Sequence, residues 1–295
     1  MNKPINGWLN IYKPKNFSSA KIVAIVKKLL KGQKTGHAGT LDPLAEGVLP
    51  IAIGEATKLT EMLVDAKKQY EFTAQFGVQT SSGDLAGEEI GKCETNLTKE
   101  DIENILPQFI GEITQTPSSF SAIKINGVRA YKYAHQNIEV EMPKRQITIY
   151  RLELLEFNKK TQQAKFLAEC SKGTYIRSLA EDIAFSLQNL AHVIELRRLS
   201  VGKFDYRNAV YLAPAEDSQN NLQHIHKQFL PVNFVLDDIL VINVEEDMAL
   251  RIRNGQKIYL GGYSNQICAI FNESALLAIG KIEDGFFIIK RVFNL

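Results

Sequence analysis

Cysteine is scarce in this chain. Cys93, Cys170 and Cys268 stand far apart, form no Cys-x-x-Cys pair and are odd in number. That pattern argues against a disulfide framework and a thiolate zinc site and fits a reducing compartment. No run of eighteen apolar residues occurs, which excludes a membrane-spanning helix. The first residues, Met1 to Trp8, lack the apolar stretch and cleavage site of a signal peptide. A cytoplasmic protein without a membrane partner is expected. Familiar catalytic signatures are missing as well. Gly32–Gly39 superficially resembles a phosphate loop, yet no Gly-Lys-Ser/Thr closes it; there is no G-x-S-x-G elbow and no glycine fingerprint after a strand. His224 and His226 form an i, i+2 pair in a polar linker without a nearby third ligand, the pattern of solvated histidines. Neither a metal nor a cofactor is expected.

What is present is an ordinary globular balance, 45% apolar and 23% charged over 295 residues. It can bury a sizeable core as one large domain or two unequal ones. The net charge of +2 conceals a segregation. Residues 1–60 hold nine lysines against Asp42, Glu46 and Glu55, whereas 61–115 hold eleven acids against four lysines. Such asymmetry marks either a one-sided polyanion-binding surface or two solvated faces of opposite sign.

Helical spacing of Ile22, Ile25, Val26, Leu29 and Leu30 predicts a helix over 19–31, with Ser18 or Ser19 at its start and Gly32 as its stop. Alternation predicts strands over 70–78, 147–157 and 164–170, the last two joined through 158–161. Further helices are expected over 99–109, capped by Thr98, and 175–187. Residues 32–50, with four glycines and two prolines, read as a long functional loop. Strands and helices do not alternate regularly, so the fold class is α+β: a mixed or antiparallel sheet flanked by helices. Beyond residue 241, short strand-like runs with a type I′ hairpin signal at Asp284-Gly285 predict a small appended β-barrel. The expected division is 1–240 and 241–295.

The chemistry concentrates in the segment Gly36-His-Ala-Gly-Thr-Leu-Asp-Pro-Leu-Ala-Glu-Gly47. Pro43 biases Asp42 toward an extended or turn backbone and offers no N–H to its carboxylate. The glycines at 36, 39 and 47 permit close approach of another chain or a ligand. Asp42 is thus either a turn cap or a reactive carboxylate. A second cluster, Ser171 to Leu179, opens a helix at a strand end, from which Arg177 could reach a carboxylate on another loop. A third, Leu196 to Lys203 beside Pro117 to Tyr131, interleaves basic, apolar and aromatic residues, as RNA contact or a solvated face would.

Together these segments resemble one family, the tRNA pseudouridine-55 synthases (TruB family). Gly36 to Pro50 is similar to its signature loop, with Asp42 where the family has its catalytic aspartate. Leu9-Asn-Ile-Tyr-Lys-Pro14 with Ser18-Ser19 is similar to its N-terminal Lys-Pro motif, departing at Asn16, where glycine is usual. Tyr70 matches the active-site tyrosine. Lys172 to Arg177 matches the segment carrying the second tyrosine, here Tyr175, and the arginine. His192 to Leu199 matches the segment whose leucine, here Leu196, contacts the target base. The tail is similar to a PUA-type RNA-binding barrel.

The resemblance implies isomerisation of a T-loop uridine of tRNA without cofactor; a monomer with no obligate protein partner is expected. Asp42, Tyr70 and Arg177 would be catalytic, with His37, Tyr175, Leu196 and Lys13 binding substrate. Lys21, Lys124, Lys172, Arg197 and Arg198 are further candidates for phosphate contact. The rivals are a guide-RNA-dependent synthase and a non-catalytic RNA-binding or tRNA-folding protein.

Overall fold

The computed structural model describes residues 5–136, 138–212, 225, 227–237 and 239–295. His224 and His226, and nearly all of the polar stretch 214–227, lie outside the described residues. One sheet dominates. Its strands run in the spatial order Val210–Tyr211, Gly7–Lys13, Glu46–Ile53, Ala191–Val201, Lys68–Phe76, Gln163–Cys170, Arg145–Asn158 and Gly111–Gln115. Gly7–Lys13 runs parallel to Val210–Tyr211, and Glu46–Ile53 parallel to Ala191–Val201; the other pairs along this order are antiparallel. The sheet is therefore mixed, one of the two arrangements expected.

The period-two pattern sets its two faces. Tyr70, Phe72, Ala74 and Phe76 are buried, and in register with them lie Ala164, Phe166 and Ala168 of the neighbouring strand. The rings of Phe72 and Phe166 stack at 5.0 Å. Helix Ile176–Ser186 covers this face with Ile176, Leu179, Ala180 and Ile183. Helix Ser19–Leu29, capped by Ser18, buries Ile22 and Val26 against Leu9, Ile11, Leu49 and Ile51. Thr98 and Asp101 form a capping box at the helix Lys99–Ile105.

Residues 32–50 differ from the expected long loop. Thr35–His37 pairs with Ile51–Ile53, and Glu46–Ile53 is an internal strand of the sheet. Only 32–34 and 38–45 are irregular. Glycine and proline obscured the strand pattern, yet Pro50 still supplies a carbonyl, accepting from Ala38 N at 3.0 Å.

The second sheet opens with Leu240–Asn243 and continues through Ile267–Asn272, Ala275–Glu283 and Phe286–Val292 to Ile258–Tyr259. It curls, but its two edge strands do not pair among the described residues. It is a half-barrel, where a small β-barrel was expected. Asp284 and Gly285 both have positive φ, 51° and 79°, as a type I′ hairpin demands. Trp8, Leu59, Val201 and Phe204 pack in one cluster with Ala269, Phe271, Leu276 and Phe293, so the two sheets share a core.

Candidate active site

Asp42 lies in the irregular segment between Thr35–His37 and Glu46–Ile53, where Ala45 N bonds to Asp42 O at 3.1 Å. The carboxylate does not cap that turn. It points to Arg177, whose Nε stands 3.0 Å from Asp42 Oδ2. Arg177 sits in the first turn of its helix and is almost fully buried, while the Asp42 side chain is 40% exposed. A half-open carboxylate is thus held by a fixed cation.

Every arm of Arg177 is engaged. Nη1 donates to Ser82 O at 2.6 Å and Nη2 to Phe120 O at 3.0 Å, while Nε also lies 3.6 Å from Asp84 Oδ2. Asp84 is itself fixed, accepting from Ser82 Oγ at 2.6 Å and Ala86 N at 2.9 Å. The planar guanidinium therefore bridges two carboxylates and two backbone carbonyls from three separate loops. Asp84 and Ser82 carried no local signal in the sequence, and Phe120 stood in a segment read for RNA contact, because each meets Arg177 only through the fold.

Arg198 proves to be a structural cation. Strand pairing sets it opposite Tyr70 and beside Gly47. Fully buried, it donates from Nε to Val48 O at 2.8 Å, from Nη2 to Gly39 O at 3.0 Å and from Nη1 to Thr40 O at 3.3 Å. It clamps the loop that carries Asp42, which replaces the phosphate contact expected of it. Gly47 allows this approach: with φ of 113°, an added Cβ would fall 2.2 Å from Arg198 O. No such crowding exists at Gly36.

Lys13 also differs from expectation. It is fully buried, and its Nζ donates to the carbonyls of Phe17 at 2.7 Å, Pro14 at 3.0 Å and Pro43 at 3.2 Å. Burial pulls its pKa down to about 8, opposed by the charge of Asp42. Its ammonium faces the loop, not solvent. Asn16, with φ of 66°, takes the left-handed conformation that asparagine tolerates and donates from its backbone N to Pro43 O at 2.8 Å. By contrast, Lys21, Lys124 and Lys172 are exposed, the last paired with Asp65.

Tyr70 is buried in the same apolar cluster as Leu41, Ile176 and Leu196. Burial pushes its phenol up, and the neighbouring Arg198 opposes that rise. His37 is half-buried; burial, then the charge of Arg198, push its imidazole down, so it is neutral near pH 7. Its Nδ1 is buried without a hydrogen-bond partner among the described residues. Tyr175 precedes the helix of Arg177, with its backbone gripped by buried Gln115: Oε1 accepts from Tyr175 N at 2.8 Å and Nε2 donates to Tyr175 O at 3.1 Å. That amide clamp was also illegible in sequence. A cavity of about 600 Å³ lined by Asn10, Phe204, Arg207 and Tyr211 contains none of the expected catalytic residues. Asp42 instead opens on the surface, an arrangement suited to a macromolecule that brings its own walls.

The model of the TruB family pseudouridylate synthase N-terminal domain matches residues 27–176, and that of the tRNA pseudouridylate synthase B C-terminal domain matches 177–240. The chain belongs to the TruB family. A tRNA pseudouridine synthase B of Rickettsia bellii is 49% identical over 98% of both chains. That of Rickettsia felis is 52% identical over 85% of this chain and 74% of its own. Among solved structures, a chain of a Cbf5-Nop10-Gar1 complex superposes with a TM-score of 0.74 at 25% identity, covering 98% of this chain and 84% of its own. A chain of an H/ACA ribonucleoprotein bound to a substrate RNA containing 2'-deoxyuridine gives 0.73 at 23%, covering 98% and 85%; this likeness concerns the fold. As a TruB protein the chain is a pseudouridine synthase. No helix among its described residues is long and apolar enough to cross a membrane.

Proposed function

We propose that this TruB protein converts uridine 55 in the T-loop of tRNA to pseudouridine, with Asp42 as the reacting carboxylate. The observation that carries the reading is the 3.0 Å contact between the solvent-reached carboxylate of Asp42 and the buried guanidinium of Arg177. The relatives named tRNA pseudouridine synthase B support tRNA as substrate. The reaction breaks the N1–C1′ bond, turns the uracil and joins C5 to C1′; the C5 proton leaves and N1 gains one, so neither redox chemistry nor an energy source is required. Asp42 in its anionic form attacks the nucleoside or assists a sugar-derived intermediate. Arg177 fixes its position.

Reaching the target requires the nucleotide to leave its stack, at a cost of roughly a few kcal/mol. His37, half-buried beside the irregular segment that carries Asp42, meets the RNA there as a neutral imidazole. Tyr70 stacks on the uracil. Its oxygen takes the C5 proton as the phenolate, the form that burial disfavours and the neighbouring Arg198 favours. Tyr175 and Leu196 pack the base. Residues 1–240 form the catalytic part and 241–295 a PUA-like RNA-binding part, in a cytoplasmic monomer acting without cofactor or protein partner.

The test is release of tritium from tRNA transcript labelled at uracil C5. Asp42→Asn is expected to bind RNA and release none; pseudouridine formation by that variant at the wild-type rate would refute the assignment. Turnover of a bare T-loop hairpin by the isolated chain separates this reading from a guide-dependent synthase. Absence of any release would favour a protein that binds RNA without chemistry.

A further inference from the structure

The backbone around Asp42 is held carbonyl by carbonyl. Gly39 O and Thr40 O accept from Arg198, Asp42 O from Ala45 N, and Pro43 O from Asn16 N and Lys13 Nζ. The remaining residue of this run is Leu41, the immediate neighbour of Asp42 and itself buried. Both of its polar groups meet a single side chain. Ser19 Oγ accepts from Leu41 N at 2.9 Å and donates to Leu41 O at 3.0 Å. Ser19 is 3% exposed and opens the helix Ser19–Leu29, yet it does not cap that helix. Capping belongs to Ser18, whose Oγ accepts from Lys21 N at 3.1 Å. Two adjacent serines thus divide two tasks, one toward the helix and one toward the loop.

We propose that Ser19 is a positioning residue for the isomerisation: its hydroxyl fixes the peptide preceding Asp42 and thereby the distance from the carboxylate to Arg177 and to the base. This inference rests on the function proposed above. Without the hydroxyl, buried Leu41 N–H and C=O lose their only protein partner among the described residues, and the loop regains freedom at the position next to the reacting group. Ser19 is buried and so offers no surface to the RNA. The loss therefore falls on turnover and leaves RNA affinity alone.

The experiment compares S19A, S19T and S18A with the wild type in tritium release under single- and multiple-turnover conditions. RNA affinity and amide exchange at Leu41 are measured alongside. S19A is expected to lower kcat by about ten- to a hundredfold with unchanged affinity and faster exchange at Leu41. S19T, which keeps the hydroxyl, should recover most of the rate, and S18A should melt earlier but turn over normally. A wild-type kcat in S19A, or a loss confined to affinity, overturns the proposal. If S19A does not fold, S19C, with its weak S–H contact, is expected to show the same kcat deficit, and its absence there is equally decisive. A wild-type protein that releases no tritium would instead defeat the functional reading itself.

Discussion

Arg197 and Arg198 are neighbours in one strand and have opposite fates. Arg198 faces the site side of the sheet, opposite Tyr70, and is closed off from water with its donors on the carbonyls of Gly39, Thr40 and Val48. Arg197 faces the other side, opposite Glu71, half-exposed and lying over the rings of Tyr206 at 4.5 Å and Tyr12 at 5.5 Å. The contrast extends across the sheet. Around the site, Lys13, Arg177 and Arg198 are buried cations that organise backbone. On the far face, Lys165 pairs with Glu71 and Lys15 with Glu195 as partly solvated ion pairs. Charge near Asp42 serves geometry; charge on the reverse serves solvation.

That difference can be broken from either side. The largest effect is expected from Arg177→Ala, which removes the cation facing Asp42 and should cut kcat by about 10²–10³-fold in the tritium assay; a near-normal rate would detach Arg177 from the chemistry. Arg198→Met should destabilise the fold by ~3 kcal/mol, since three carbonyls lose a charged donor, and lower kcat by about a hundredfold. Urea unfolding together with turnover would expose a milder outcome.

Next is Asp182, on the helix that covers the site face, whose carboxyl burial pushes up to about 6. Between roughly pH 4 and 6 the folded form binds more protons than the unfolded one, so stability falls as pH rises through that window. Asp182→Asn should therefore stabilise by ~2 kcal/mol at pH 7 and lose that gain below about pH 4. An unchanged urea midpoint at pH 7 would contradict it. The smallest effect belongs to the reverse face: Glu71→Gln, severing the pair with Lys165, should cost about 0.5 kcal/mol and leave turnover alone. A larger loss would erase the distinction between the two faces.

Much of this was legible in the chain. The alternation of Tyr70 to Phe76, the Thr98 cap and the Asp284-Gly285 turn are local signals, and local physics suffices to read them. Asp42 and Arg177 were readable through resemblance, whereas spacing alone left a turn cap open. What stayed hidden was long-range. The strand Ala191–Val201 inserts between Glu46–Ile53 and Lys68–Phe76, and no periodicity announces which neighbours a strand will choose. Arg198 looked like a phosphate ligand because a basic strand residue carries no mark of the carbonyls it will meet across the sheet. Gln115, Ser82 and Phe120 escaped for the same reason. Strand Glu46–Ile53 was missed because its glycine and proline mimic a loop, although Gly47 is there to let a second backbone pass close by.

The saturation of Arg177 has a consequence for motion. A guanidinium already committed to Ser82 O, Phe120 O, Asp42 and Asp84 has no slack with which to swing toward an arriving nucleotide. On the function proposed above, the travel that brings sugar and carboxylate together falls to the RNA, while Arg177 stays in place. Movement of Arg177 itself during turnover should then be slight.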